Sequence, residues 1–277
     1  MRGIDTLSAQ AVQDALQTRW AGRGGILYAR EMPSTNAVLK EAARQGAPHG
    51  MVAVCHHQTA GKGRIGRSWE TPPGEALTFS LLLRPRLLPE QAQLCTLAAA
   101  LAVVRTIRQV CPGLMPRIKW PNDVVIGQGK CCGILSEMGM GADGVDHVVT
   151  GVGLNVNQTA FPPELSDRAV SLLGEMRRMD FSALPLDRTG LLCCFLREME
   201  QAMDALEAGG FEAIRADYEA LSATIGQAVQ VIAPRESYTG VAQAVDDTGA
   251  LLVRREDGTV ETVLCGDVSV RGLMGYV

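Results

Sequence analysis

The chain has 277 residues, 47% of them hydrophobic and 20% charged, with a formal net charge of −4. That is enough for one large domain, or a large and a small one, around a sizeable apolar core, and the ordinary composition excludes long disordered stretches. The acidic balance argues against wholesale binding of nucleic acid, although a local basic loop can still grip a phosphate.

Eight cysteines stand at 55, 95, 111, 131, 132, 193, 194 and 265. None forms a C-x-x-C pair, which speaks against a zinc site, and the adjacent pairs lie in apolar segments where thiols behave as small hydrophobes. A reducing, cytoplasmic setting is expected. Met1 to Asp5 lack the apolar stretch of a secretory signal, and no run of about 18 apolar residues could span a bilayer.

Residues 5 to 20 are expected to form one amphipathic helix, ended by the glycines at 22, 24 and 25. A strand at about 26–30 follows. Ser34 or Thr35 can then cap a helix whose inner face is Val38, Leu39, Ala42 and Ala43 and whose stop is Gly46. Plain N-capping is therefore one reading of Ser34-Thr35-Asn36.

A strand over 51–57 enters the segment Gln58-Thr59-Ala60-Gly61-Lys62-Gly63-Arg64-Ile65-Gly66-Arg67-Ser68-Trp69, and another over 76–83 leaves it. Three glycines let backbone approach a ligand closely, and Lys62, Arg64 and Arg67 put three cations on one short loop, a composition suited to anions. The spacing also fits G-x-G-x-x-G. A dinucleotide fold would need a helix next, however, and Pro72-Pro73-Gly74 forbids one; a kinase would need H-R-D and D-F-G elements, which are absent. A surface hairpin with scattered charges is the bland alternative. His56 and His57 have no third ligand at metal spacing and read as strand-end residues.

Apolar positions 94, 97, 98, 101, 104 and 107 predict a helix over 89–110, stopped by Pro112-Gly113. Arg117 to Ile126 reads as strand, turn at Pro121-Asn122, and strand; Gly127-Gln128-Gly129 turns the chain so that Lys130 opens a strand reaching Met138. By residue type alone, Lys130 and the polar pair Asn122-Asp123 are ordinary exposed and turn residues. A strand over 147–153 ends in Leu154-Asn155-Val156-Asn157. A connecting region over 162–185 and helices over 187–208 and 211–223 follow. Beyond residue 225 short alternating strands separated by Asp246-Asp247-Thr248-Gly249 and Glu256-Asp257-Gly258 predict a small β-barrel of about five strands. The expected domains are 1–224 and 225–277.

Taken together, Pro33-Ser34-Thr35-Asn36, the glycine loop, Lys119-Trp120-Pro121-Asn122-Asp123, Gly129-Lys130-Cys131-Cys132-Gly133-Ile134-Leu135 and Gly151-Val152-Gly153-Leu154-Asn155-Val156-Asn157 resemble, in order and spacing, a biotin protein ligase. The resemblance runs from about Ile26 to the C-terminus. It implies an α+β fold, a mixed sheet flanked by helices as in class II synthetases and lipoyl ligases, with the small C-terminal barrel. It also implies ATP-dependent activation of biotin to biotinyl-5'-AMP, then transfer to a lysine of a biotin carboxyl carrier domain of acetyl-CoA carboxylase or a related carboxylase.

Carried over residue by residue, the resemblance implies Arg64 and Lys130 as catalytic. Ser34, Thr35, Asn36, Gln58, Gly61, Lys62, Gly63, Arg64, Trp69, Lys130, Gly133 and Leu135 would lie at biotin. Arg64, Arg67, Trp69, Lys119, Asn122 and Asn155 would lie at ATP, with Asp123 offered to Mg²⁺. Lys62 is often arginine in the family, so its side-chain contact is less firmly carried over than its backbone N–H. There is no room before Ile26 for a winged helix-turn-helix of roughly 60 residues. Family members occur as monomers and as homodimers through the sheet edge. The rival readings are a lipoate or octanoate ligase of the same fold and a non-enzymatic biotin or nucleotide sensor; the full glycine loop with Lys119 to Asp123 favours biotin.

Overall fold

The computed structural model describes residues 7–142, 144–233, 237–265 and 269–272. Its main element is a seven-stranded mixed sheet built from β1 (Ile26–Met32), β2 (Val52–Gln58), β3 (Ala76–Leu83), β4 (Pro116–Lys119), β5 (Asp123–Ile126), β6 (Gly129–Gly141) and β7 (Gly144–Asn155), in the order β1-β2-β3-β7-β6-β5-β4. β1 runs parallel to β2 and every other ladder is antiparallel. Helix α1 is Ala9–Ala15, α2 Thr35–Arg44, α3 Leu94–Val110, α4 Leu172–Met179, α5 Arg188–Gly209 and α6 Glu212–Ala220.

The two faces of the sheet are treated differently. The row Leu77, Phe79, Leu81 with Val148, Val152, Leu154 and Ile134 packs under α3 and α5 in the principal core. α3 is buried almost all round, as expected of a helix that reads apolar on every side. The opposite face is covered only in part, by α2, through Met32, Leu39, Ala43, Ala53, Cys55, Leu82 and Val149. Beyond α2 that face carries small and polar residues, and there the site forms.

Several expected boundaries move for identifiable reasons. The first helix stops at Leu16 instead of running to 20, because the N–H groups of Arg19, Trp20 and Ala21 all donate to the carboxylate of Glu200 on α5. Residues 5 and 6 of that expected helix lie outside the described residues. Pro89–Gln91 form a single 3₁₀ turn ahead of α3. The last helix ends at Ala220 because the following residues pair with the edge of β4, Ile118 N–H to Leu221 O at 2.8 Å and Ala223 N–H to Ile118 O at 2.7 Å. Trp120-Pro121 is a cis peptide.

The C-terminal region is an antiparallel sheet of β8 (Ala228–Ile232), β9 (Ser237–Val245), β10 (Leu251–Arg254), β11 (Val260–Val263) and β12 (Ser269–Gly272), in the order β11-β10-β9-β8-β12. The final strand had no clear sequence signal. The loop between β9 and β10 fastens this sheet to the main body: Gly249 O accepts the indole N–H of Trp120 at 3.0 Å and also the side-chain amide of Gln93.

Candidate active site

Register lines up the site floor. Lys119 on β4 opposes Asp123 on β5, Asp123 opposes Gly133 on β6, Gly133 opposes Gly153 on β7, and Gly153 opposes Thr78 on β3. One line across five strands thus reads cation, carboxylate, two bare backbones and a hydroxyl. The indole of Trp69 lies on the two glycines: a Cβ added at Gly153 would stand 2.3 Å from Trp69 Cε2, and one at Gly133 would stand 3.1 Å from its Cζ3. Lys130 Nζ lies 5.7 Å from the Trp69 ring centroid and 2.6 Å from Asp123 Oδ1.

The next line on the same face is Ser80, Gly151 and Leu135. Over it sits the start of α2. Ser34 caps that helix, accepting from Ala37 N–H, so the capping reading holds for it. Thr35 donates its backbone N–H to Gln58 Oε1 at 2.8 Å. Asn36 donates to Leu135 O at 3.0 Å and Glu137 Oε2 at 2.8 Å, while its Oδ1 accepts from Ser80 at 2.6 Å. Glu137 is in turn held by Lys40 at 2.6 Å. No Cβ fits at Gly151, where it would lie 2.1 Å from Asn36 Oδ1.

The glycine loop arches over this floor. Lys62 bridges to Ser68, Gly63 N–H donates to Arg67 O at 2.7 Å, and Trp69 N–H donates to Gly61 O at 3.0 Å. Both central residues of the tip turn, Ile65 (φ 53°) and Gly66 (φ 68°), are left-handed, the signature of a type I′ turn. Glycine takes that conformation freely, but a β-branched residue there is strained.

Two pockets result. The inner one, about 60 Å³, is walled by Ser34, Thr35, Asn36, Gln58, Lys62, Gly63, Arg64, Trp69, Asn122, Lys130, Gly133, Leu135, Gly151 and Gly153, among others. The outer one, about 550 Å³, shares Gly63, Arg64, Trp69, Asn122 and Lys130 with it and adds Arg67, Lys119, Asp123, Asp167, Arg168 and Arg271. Lys119 is buried at 6% exposure. Burial lowers its pKa to about 8, aided by Lys130, Arg271 and Arg67 and opposed by Asp123. The indole N–H of Trp69 is buried and has no hydrogen-bond partner among the described residues.

The site residues expected from the sequence thus converge, with three differences. Gly61 is in the loop stem, too close to Trp69 O for any Cβ. Asn155 is buried behind the pocket wall, donating to Val170 O at 3.1 Å and Lys130 O at 3.5 Å; it supports the lysine from the rear and lines neither pocket. Asp123, offered to Mg²⁺, is ion-paired with Lys130, and no group of three His, Cys, Asp or Glu able to hold a metal ion comes together among the described residues. Asp123 is thus no part of an all-protein metal cage, and Mg²⁺ held there would need the nucleotide phosphates as further ligands. Sequence reading missed Gly151 and Gly153 as floor, and Arg168 and Arg271, which reach the outer pocket from a connecting segment and from the small sheet.

Residues 28–155 match the model of the biotin/lipoate A/B protein ligase family, and residues 224–271 match the biotin protein ligase C-terminal domain. The biotin--[acetyl-CoA-carboxylase] ligase of Mycobacterium tuberculosis is 35% identical over 95% of this chain and 95% of its own length. This chain belongs to the biotin protein ligase family. The bifunctional ligase/repressor BirA of Bacillus subtilis is 33% identical over 95% of this chain, which spans 79% of that relative. The biotin protein ligase of Aquifex aeolicus, solved in complex with biotin and ATP, superimposes with a TM-score of 0.75 at 27% identity, covering 89% of this chain and 98% of that one. The ligase described here is an ATP-dependent biotin ligase, and its α+β fold with a five-stranded C-terminal sheet is that of the family.

Proposed function

We propose that the inner pocket takes the biotin rings, the outer pocket takes ATP, and the five shared residues sit where the two meet. The observation that carries this is the juxtaposition itself: two pockets of different lining joined at Arg64, Lys130 and Trp69. A cyclic urea is neutral and needs donors and acceptors without charge, which Ser34, Thr35 and Gln58 supply. Asn36, with its amide turned onto Leu135, Glu137 and Ser80, shapes that end of the pocket. The bare glycines and Leu135 suit apolar fused rings. At about 60 Å³ the inner pocket is small for a fused bicycle, so the Trp69 roof lifts as biotin enters.

A carboxylate does not acylate an amine unaided, because oxide is a poor leaving group. The biotin carboxylate attacks the α-phosphorus of ATP, the bond to the β-phosphate oxygen breaks, and pyrophosphate leaves. Arg64 and Lys130 reduce the repulsion between the two anions and stabilise the in-line transition state, while Lys119 and Arg67 draw the leaving pyrophosphate outward. The ε-amine of a carrier-domain lysine then attacks the mixed anhydride and AMP departs. Lys62 holds the rim of the loop. Trp69 covers the adenylate with an apolar face until the carrier docks.

The domains divide at 224/225. All eight cysteines are free thiols, which supports a reducing, cytoplasmic setting, and no helix among the described residues is long and apolar enough to cross a membrane. Incubation with biotin, ATP, Mg²⁺ and a biotin carboxyl carrier domain, read by intact mass, tests the whole reading. One biotinyl group on the carrier, with pyrophosphate released, is the expected outcome; lipoylation in its place would overturn it.

A further inference from the structure

Asn122 stands in the turn between β4 and β5, and its side chain is pinned in place. Its Nδ2 donates to Ile134 O at 2.9 Å, and its own carbonyl accepts from Ile134 N–H at 2.9 Å, so the residue is fixed to β6 on both counts. The orientation this imposes turns Oδ1 toward the glycine loop, where it accepts from Arg64 Nη1 at 2.8 Å. The other terminal nitrogen of Arg64 donates to the main-chain carbonyl of Cys265, on the small domain. The guanidinium is therefore gripped from two sides by elements that are far apart in sequence.

Both acceptors are neutral. A carboxylate at either place would hold the arginine more tightly but offset part of the field it projects. An amide oxygen and a peptide oxygen fix the direction of the planar fork without themselves placing a charge against it. A free arginine side chain samples many rotamers, and only a fixed one offers its charge at a set place when a transition state forms.

We propose that Asn122, although it lines both pockets, serves as the positioning residue for Arg64 and acts through that arginine, not through a contact of its own with the nucleotide. This rests on the assignment of Arg64 to the joint of the two pockets, where a cation that meets the carboxylate and the α-phosphate also holds the adenylate once it has formed. The test is a double-mutant cycle of Asn122→Ala and Arg64→Ala, with Asn122→Asp alongside. Bystander-lysine biotinylation without a carrier reports adenylate escape, and pyrophosphate exchange gives KM for ATP.

Asn122→Ala is expected to raise bystander labelling about tenfold, the effect of losing a hydrogen bond to a charged group, and to change KM for ATP by less than about twofold. The double variant should label no more than Arg64→Ala alone, and Asn122→Asp, which keeps an acceptor for Arg64 but adds a carboxylate and loses the Nδ2 bond to Ile134 O, should fall between wild type and the alanine variant. Additive effects in the double variant, or a raised KM for ATP whatever stands at 64, would mean direct nucleotide contact and overturn the proposal. Labelling by Asn122→Asp equal to that of the alanine variant would also overturn it, since the Ile134 anchor alone would then matter. An Arg64→Ala chain that labels no more than wild type would instead sink the reading of Arg64 itself.

Discussion

Lys119 sits where water is scarce and three other cations are near, which is why it gives up its proton at about pH 8 instead of the ordinary 10.5. The unfolded chain holds that proton more tightly than the folded one, so Lys119 weakens the fold below pH 8 and stability recovers as pH rises from about 8 to 10.5. Its function runs the other way, because a phosphate wants the charged form. KM for ATP is expected to rise above about pH 8, approaching about tenfold per pH unit. Lys119→Arg, whose guanidinium stays protonated, should flatten that profile; an unchanged profile in the arginine variant would mean that another group titrates.

Asn36 tests a different point. Its three bonds link α2, β3 and β6, so Asn36→Ala leaves one Glu137 oxygen and the Leu135 carbonyl without their side-chain donor, while Ser80 keeps Thr35 as a partner; a loss of about 2 kcal/mol in denaturant unfolding is expected. Substituting Ser34 or Thr35 should affect biotin binding more than folding.

At the scale of elements, the tip of the glycine loop is wound into a turn that favours asparagine followed by glycine, yet isoleucine occupies its first centre. The covering position of the loop is therefore held with about 1–2 kcal/mol of backbone strain. Ile65→Asn should relieve it and slow adenylate escape by a few-fold in the bystander assay, whereas faster escape would show that Ile65 itself makes a necessary contact. Under that loop, Gly153→Ala forces Trp69 off its bed, and biotin-dependent pyrophosphate exchange should fall at least about tenfold while the circular dichroism spectrum stays the same.

This scale also shows what could be read in advance. Elements with a strong apolar pattern of their own lie where it puts them: β3 matches the expected 76–83, and α3 carries all six expected apolar positions although it starts at Leu94. Segments whose hydrogen bonds go to distant partners do not: residues 19–21 bind Glu200, and residues 221–223 pair with β4. The same holds for the site. Charged and amide residues in short motifs were legible, but Gly151 and Gly153 acquire meaning only when register lays them beside Gly133 and beneath Trp69. Asn155 and Asp123 keep the expected neighbourhood yet spend their polar atoms within the protein, Asn155 on Val170, Gln158 and the Lys130 main chain and Asp123 on the Lys130 ammonium, a distinction that residue type cannot reveal.

For the molecule as a whole, the small sheet is tied to the main one at its most functional places. Gly249 O takes the N–H of Trp120, next to Lys119, while Arg215 of α6 donates to Val245 O and Cys265 O takes Arg64. Heating should therefore give one cooperative transition, not two, and Trp120→Phe, which removes only the indole N–H and its ring fusion, should lower both Tm and kcat; two separate calorimetric transitions in the wild type would contradict this coupling.

The three tryptophans occupy distinct surroundings. Trp20 lies against His49 with ring centroids 4.2 Å apart and planes tilted by 51°, its indole N–H bonded to Asp204; Trp120 is bonded and enclosed; and among the described residues only the Trp69 indole N–H is buried without a hydrogen-bond partner. The chain thereby carries a built-in optical gauge, since a ligand that lifts or bonds that one ring alters ultraviolet emission from a single known position. Titrating unlabelled biotin and ATP into Trp20→Phe protein while following emission should report loop movement directly, without any attached dye.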